Sequence, residues 1–225
     1  MGSSLPGTIC EALACSDARI RSGGVVVTAS AYRSTVAGYA RGLAEQGYPP
    51  RSLVLLGVAN LNDALLLSLA AWWAGHRVAF VDEADHRRRD RLALRVGAAL
   101  QICDADDIVD EEHLIHRDVP AVSPRELAAA ASTWPARCRP SDTALVTWPG
   151  NRRGVDEATH ADLIAAAADA LAAGAATGDH AVDDCAGGAA DGRRAVAVAA
   201  GAPGEALVRA AAVALLGNAL LDLGS

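Results

Sequence analysis

Thr147, Gly150, Asn151, Arg152, Arg153, Gly154 and Thr159 fall within one stretch, Ser141–Leu163 (SDTALVTWPGNRRGVDEATHADL), and their types suit the binding of an anion. Asp142 to Trp148 reads as a short β-type run with no helical period. A turn-rich loop containing Gly150, Arg152, Arg153 and Gly154 follows. Thr159 stands where an N-cap would, opening a helix over His160–Ala173. Such a loop can turn backbone N–H groups inward, and a helix N-terminus adds partial positive charge. The chemistry implied is the cradling of a phosphate, with Arg153 as the cation. The plainer alternative is an ordinary strand-to-helix connection, and it takes precedence, because a motif without its structural context is only a hypothesis. Thr159-His160 is read in the same way, as a cap followed by a packing or solvated histidine.

Other residue groupings are weaker. His113 and His116, flanked by Glu111, Glu112 and Asp118, have a spacing that brings two imidazoles to one ion. The segment is acidic and irregular, however, and spacing fixes no third ligand. A solvated surface is the simpler reading, so no metal site is assigned. The run His86–Arg91 suits contact with RNA, a phosphopantetheine phosphate or an acidic partner, but reads first as the exposed face of a helix. Neither Gly-x-Ser-x-Gly nor Gly-x-Gly-x-x-Gly occurs, no nucleophile–histidine–carboxylate set can be argued, and no catalytic residue is assigned.

The totals narrow the field. The chain has 225 residues, 52% of them hydrophobic, and a net charge of −7. That charge argues against general binding of nucleic acid or an anionic membrane. All 20 basic residues are Arg, so chemistry that needs a lysine amine is excluded. Five scattered cysteines without a Cys-x-x-Cys pair fit a reducing cytoplasm. No signal peptide is read at the N-terminus, and the longest apolar run, Ala64–Ala74, is too short to span a bilayer.

The elements that position the stretch follow in order. Thr8 and Glu11 have capping-box spacing and open a helix to about Ala18. Arg19–Arg21 and Val25–Thr28 flank Ser22-Gly23-Gly24 as a hairpin. Ala31–Gln46 is an amphipathic helix with Val36, Tyr39, Ala40 and Leu43 on one face. Then strands (Ser52–Ala59, Arg77–Asp82, Ala99–Asp104) alternate with helices (Asp63–Ala74, His86–Val96). Trp72-Trp73 sits in a helix expected to be half buried. This alternation predicts an α/β fold, a mainly parallel sheet with helices on both faces. Residues 105–140 read as an irregular surface connector with a short helix at Arg125–Ser132. Gly174–Gly192 is of low complexity. Arg194–Ala200 and Asn218–Leu223 read as strands around a helix at Gly204–Leu216. One domain results, with halves at 1–104 and 141–225.

The 141–163 stretch resembles the phosphate loop of the adenylate-forming family: acyl-CoA synthetases, nonribosomal-peptide adenylation domains and luciferases. That pattern is a strand, Thr-Ser-Gly-Ser/Thr-Thr-Gly-x-Pro-Lys-Gly-Val, and then Ser/Thr-His at a helix start. Thr147, Gly150, Arg153 (for the family Lys), Gly154, Val155, Thr159 and His160 match it. The loop is shorter here, its run of hydroxyls is gone, and Trp148-Pro149 stands where Ser-Gly would be. Earlier in the chain Tyr32, Ala40, Leu43, Gly47, Val54, Asn60, Ala70, Ala74, Gly75, Val81 and Asp82 follow the family's opening in order and spacing.

The resemblance implies the first lobe of an adenylate-forming enzyme, without the later motifs and the catalytic Lys. It implies a truncated, degenerate homologue, not catalytic alone, acting as a binding or scaffold subunit in an acyl- or aminoacyl-activating complex. Its partner would be another protein, a carrier protein or a second copy of itself. Alternatives are one half of a split ATP-dependent carboxylate-activating ligase, and a small-ligand or nucleotide sensor. The cofactor implied is a residual ATP or AMP with Mg²⁺.

Overall fold

A computed structural model describes residues 5–81, 86–104, 119–128, 135–147, 155–177, 195–198 and 204–223. The chain opens with helix α1 (Ile9–Cys15). Its N-terminus is closed by two reciprocal bonds: Glu11 N donates to Thr8 Oγ1 at 3.0 Å, and Glu11 Oε2 accepts from Gly7 N at 2.7 Å. Strands β1 (Arg19–Ser22) and β2 (Val25–Thr28) form the expected hairpin. The turn needs two left-handed residues, and Gly23 (φ +53°) and Gly24 (φ +79°) supply them without steric cost. Thr28 then caps helix α2 (Ala29–Glu45), which buries Tyr32, Val36, Ala40 and Leu43.

A βαβαβ series follows: β3 (Leu53–Gly57), α3 (Leu61–Trp73), β4 (Arg77–Phe80), α4 (His86–Val96) and β5 (Ala98–Cys103). The rest of the chain supplies β6 (Ala121–Val122), the short helix α5 (Pro124–Leu127), β7 (Thr143–Thr147), β8 (Asp156–Thr159), α6 (His160–Thr177), β9 (Ala195–Ala197), α7 (Gly204–Leu216) and β10 (Leu220–Asp222).

Two sheets result. The larger runs β6-β5-β3-β4-β7-β8, parallel except for the antiparallel edge strand β8. The smaller runs β2-β1-β10-β9, with the first and last strands of the chain as parallel neighbours. Successive residues of β3 point to opposite faces, and both faces are covered. Val54 and Leu56 join the main core, which α1, α2, α3, α6 and α7 fill up to Ile20 and Leu221 of the smaller sheet. Leu53 and Leu55 join a second core with Ala79, Val146 and Ala93 of α4. This is the predicted mainly parallel sheet with helices on both faces, and the main core is also closed by a second sheet.

Helix α3 was expected to be half buried; every residue from Ala64 to Trp73 is buried. Between other helices and the larger sheet no face is left for water, so the helix is apolar all round. Leu65, Leu66, Leu67 and Leu69 each contribute roughly 1.5–3 kcal/mol by leaving water. The connector expected to be irregular holds β6 and α5, and it packs closely: a Cβ on Gly42 of α2 would lie 2.2 Å from the Leu127 carbonyl oxygen. Strand β8 had no counterpart in the sequence reading. Arg89, assigned to an exposed helix face, is 1% exposed and lies against Gly57 at the end of β3. The His113/His116 segment lies outside the described residues.

Candidate functional site

Strands β7 and β8 make an antiparallel hairpin, and its register locates the candidate residues. Thr147 pairs with Asp156 at the loop end, and Thr143 pairs with Thr159 at the base. Gly150, Asn151, Arg152, Arg153 and Gly154 lie outside the described residues, in the connection that begins after Thr147. Thr147 and Thr159 therefore stand at opposite ends of the hairpin, about 13 Å apart at strand rise. The structure keeps Thr147 beside the loop and takes Thr159 away from it. The expected strand–loop–helix order is a strand–loop–strand–helix order, and α6 begins at the end of the hairpin where Thr143 pairs with Thr159.

The α6 N-terminus is also closed by the protein itself. His160 N donates to Asp142 O at 3.2 Å, and Ala161 N donates to Pro140 O at 3.0 Å. Asp162 N donates to Thr159 Oγ1 at 3.1 Å. The Asp162 carboxylate in turn accepts from Thr159 N at 2.9 Å and from the Thr159 hydroxyl at 2.7 Å. Those bonds hold the Asp162 carboxyl below the usual carboxylate range. These three amides have acceptors, and a negative charge already occupies the helix end. Thr159 is a cap here, as its type suggested.

His160 faces inward. It is 1% exposed, and its ring meets Trp72 edge-on, with centroids 5.6 Å apart and an interplanar angle of 82°. Trp72 Nε1 donates to the Ala144 carbonyl at 2.7 Å. Burial pushes the imidazole pKa down to about 4, against smaller upward pulls from Asp142 and Glu11. At neutral pH this is a neutral packing residue that joins α6 to α3 and, through Trp72, to β7.

The outside of the hairpin is braced by ion pairs. Arg77 reaches Glu157 Oε1 at 3.0 Å, Thr143 Oγ1 donates to Glu157 Oε2 at 3.0 Å, and Arg51 reaches Asp142 Oδ1 at 2.8 Å. Such exposed pairs are worth up to about 1 kcal/mol each, and the Arg77–Glu157 pair ties β8 to β4.

Because β5, β3, β4 and β7 are parallel, the loop after Thr147 leaves from the carboxyl edge of the larger sheet, where open α/β sheets bind ligands. Two further features of that edge went unread in the sequence. The N-terminus of α7 reaches it: a Cβ on Gly204 would lie 1.9 Å from Cγ of Phe80, the last residue of β4, the strand that pairs with β7. The edge also carries acid. Asp104 Oδ2 accepts from Ala59 N at 3.0 Å, and the Asp63 carboxyl is raised by burial and by Asp104. No local sequence signal links Gly204 to Phe80.

This combination of sheets, helices and a β7 carboxyl-edge loop defines the first-lobe fold of adenylate-forming enzymes. Three solved structures place the likeness. A nonribosomal peptide synthetase, FmoA3, bound to α-methyl-L-serine-AMP, superposes at TM-score 0.74 with 18% identity over 100% of this chain and 25% of that one. VinN with 3-methylaspartate superposes at 0.71 with 16% identity over 97% and 62%. O-succinylbenzoate coenzyme A synthetase (MenE) from Bacillus subtilis, with ATP and magnesium, superposes at 0.71 with 11% identity over 98% and 57%. No protein-family model and no curated protein matches the sequence. The chain thus has this fold throughout its length and spans less than two thirds of each of these proteins.

Proposed function

We propose that this chain is a binding component built on the adenylate-forming fold and does not perform adenylation by itself. The observation that carries the reading is the loop segment itself, where Arg153 stands for the family Lys and the run of hydroxyls is gone. Adenylation stabilises charge on a pentavalent phosphorus, usually with Mg²⁺ and cations. Arg152 and Arg153 are the cations this loop supplies. A residual ATP or AMP would be held by Thr147, the backbone of Gly150, Asn151 and Gly154, and those two arginines, with Thr159 serving to cap α6. Bound Mg²⁺ would screen the phosphate charge. The role is that of a scaffold in an acyl- or aminoacyl-activating complex in a reducing cytoplasm, joined to a protein partner, a carrier protein or a second copy.

The test is ATP–pyrophosphate exchange with the purified chain, alongside thermal shifts with ATP–Mg²⁺, AMP and pyrophosphate. No exchange is expected from the chain alone, and exchange above background overturns the reading. A second reading, one half of a split carboxylate-activating ligase, is favoured by the intact β7–β8 hairpin, whose connection leaves from the carboxyl edge of the larger sheet. It predicts a thermal shift with ATP that Arg153→Ala abolishes, and exchange once the complementing chain is added.

A further inference from the structure

Helix α4 divides the basic residues of His86–Val96 between two sides. Arg89 and Ala93, one turn apart, face the larger sheet: both are buried, and Arg89 lies against Gly57. Ala93 joins the second core with Leu53, Leu55 and Ala79. Asp90, the one acid of the helix, accepts a hydrogen bond from Gln101 Nε2 of β5 at 3.0 Å. Arg91, Leu94 and Arg95 stand on the outer side, and all three are exposed, Leu94 by 56%. The other described helices, α1, α2, α3, α5, α6 and α7, pack into the main core, so among the described residues α4 is the one helix over the second core.

The row is also unanswered in charge. On α2 and α7, Arg41 and Arg209 reach carboxylates one turn away, Glu45 at 2.9 Å and Glu205 at 2.7 Å. One turn to either side of Arg91 stand Arg87 and Arg95 instead. Like charges at that spacing weaken a helix, and arginines in the first turn, Arg87 and Arg88, oppose its dipole. Among the described residues Arg91 and Arg95 make no ion pair and no hydrogen bond. Five of the chain's 20 arginines stand in this helix of 11 residues, in a protein of net charge −7. The arrangement works against the helix and gains nothing inside the described fold.

We propose that the outer face of α4 docks an acidic helix of a partner protein, with Arg91 and Arg95 pairing to its carboxylates and Leu94 seated between them as the apolar anchor. Two arginines one turn apart match two carboxylates one turn apart on a facing helix, and a guanidinium binds a carboxylate through two parallel hydrogen bonds. Leu94 asks for an apolar side chain, which a phosphate backbone does not offer. A net charge of −7 repels an extended polyanion or an anionic membrane, whereas a patch the size of one helix meets the local arginine row. Arginine is enriched at the centres of protein interfaces, and charge complementarity selects the partner. The proposal rests on the reading of the chain as a binding component and gives that role a surface.

The test uses the whole chain and the fluorescence anisotropy of a labelled helical peptide with a leucine between two glutamates one turn apart. Binding is expected to weaken as salt rises and to be about tenfold weaker for the double variant Arg91→Glu, Arg95→Glu. Leu94→Ser should weaken it too, with the salt dependence kept. A scrambled peptide of the same composition should bind far less well. Arg91→Glu also breaks the like-charge row, so this variant alone should melt at or above the wild-type temperature. A fall of several degrees would mean that acids of the chain itself, such as Asp110, Glu111 and Glu112, already answer the row, and it overturns the proposal. So does a peptide that fails to bind or binds no better than its scrambled form. Tighter binding of polyuridylate, or of phosphatidylcholine–phosphatidylserine vesicles, lost with the same arginines, overturns it as well. ATP–pyrophosphate exchange reads the loop after Thr147, so the docking surface and the absence of adenylation can fail separately.

Discussion

His160 stands edge-on to Trp72, centroids 5.6 Å apart, in a site that holds its pKa down to about 4. An unfolded chain protonates this histidine near its ordinary value of about 6.5. The folded state therefore binds fewer protons between the two values. Stability is full above pH 6.5, falls as the pH drops toward 4, and levels off below. The loss is roughly 3 kcal/mol at about 1.4 kcal/mol per pKa unit. His76, also lowered by burial and by Arg137, adds in the same direction. Denaturation midpoints at pH 8 and pH 4.5 should differ accordingly, and His160→Phe should flatten the slope. A wild-type profile flat across this range would contradict the assignment.

Trp72→Phe keeps most of the buried ring and removes the donor to the Ala144 carbonyl. That oxygen is left without its partner in the core, which costs about 1–3 kcal/mol. Trp72→Ala adds a cavity and should cost about 3–5 kcal/mol. Urea unfolding of both variants checks the order; equal losses would mean that the indole N–H contributes little.

Thr159→Ala removes the α6 cap and should lower stability by about 1 kcal/mol. Any thermal shift produced by ATP should survive, because Thr159 lies at the hairpin end away from the loop. Loss of the ATP response in Thr159→Ala, with the fold kept by circular dichroism, would place Thr159 back in the site. Lowering pH through the range where Asp162 protonates should remove the stability that its bonds to Thr159 provide at higher pH.

Gly204→Ala drives a methyl group onto Phe80 and should destabilise by roughly 1–3 kcal/mol. Phe80→Ala in the same chain should recover part of that loss. A double-mutant cycle with a coupling of zero would show that the close approach relaxes freely.

What could be read from the sequence depended on how local each cause is. The α1 cap needs Thr8 and Glu11, and the first hairpin needs Gly23-Gly24; both signals lie within a few residues. The alternation from β3 to β5 was legible because strands buried on both faces are apolar throughout. Strand β8 was not legible. Asp156-Glu-Ala-Thr159 has no β pattern of its own, and it extends because β7 offers an edge and Glu157 finds Arg77 and Thr143. Thr159 caps α6, as its type suggested, and the strand that the sequence did not announce pairs it with Thr143 at the end of the hairpin opposite Thr147. The approach of α7 to Phe80 joins distant parts of the chain and leaves no mark on either.

The pairing of β1 with β10 sets a schedule for the newly made polypeptide. Arg21 and Asp222 sit side by side although 201 positions separate them. As the chain leaves the ribosome, the β1–β2 ribbon is complete early, yet one edge of β1 waits for β10, which is made 201 positions after Arg21. The larger sheet can assemble first, as a unit of mostly nearer neighbours. The smaller one closes after it, at the high loop entropy of contacts between distant residues. During that interval the open edge of β1 is the place where another nascent chain would add a strand.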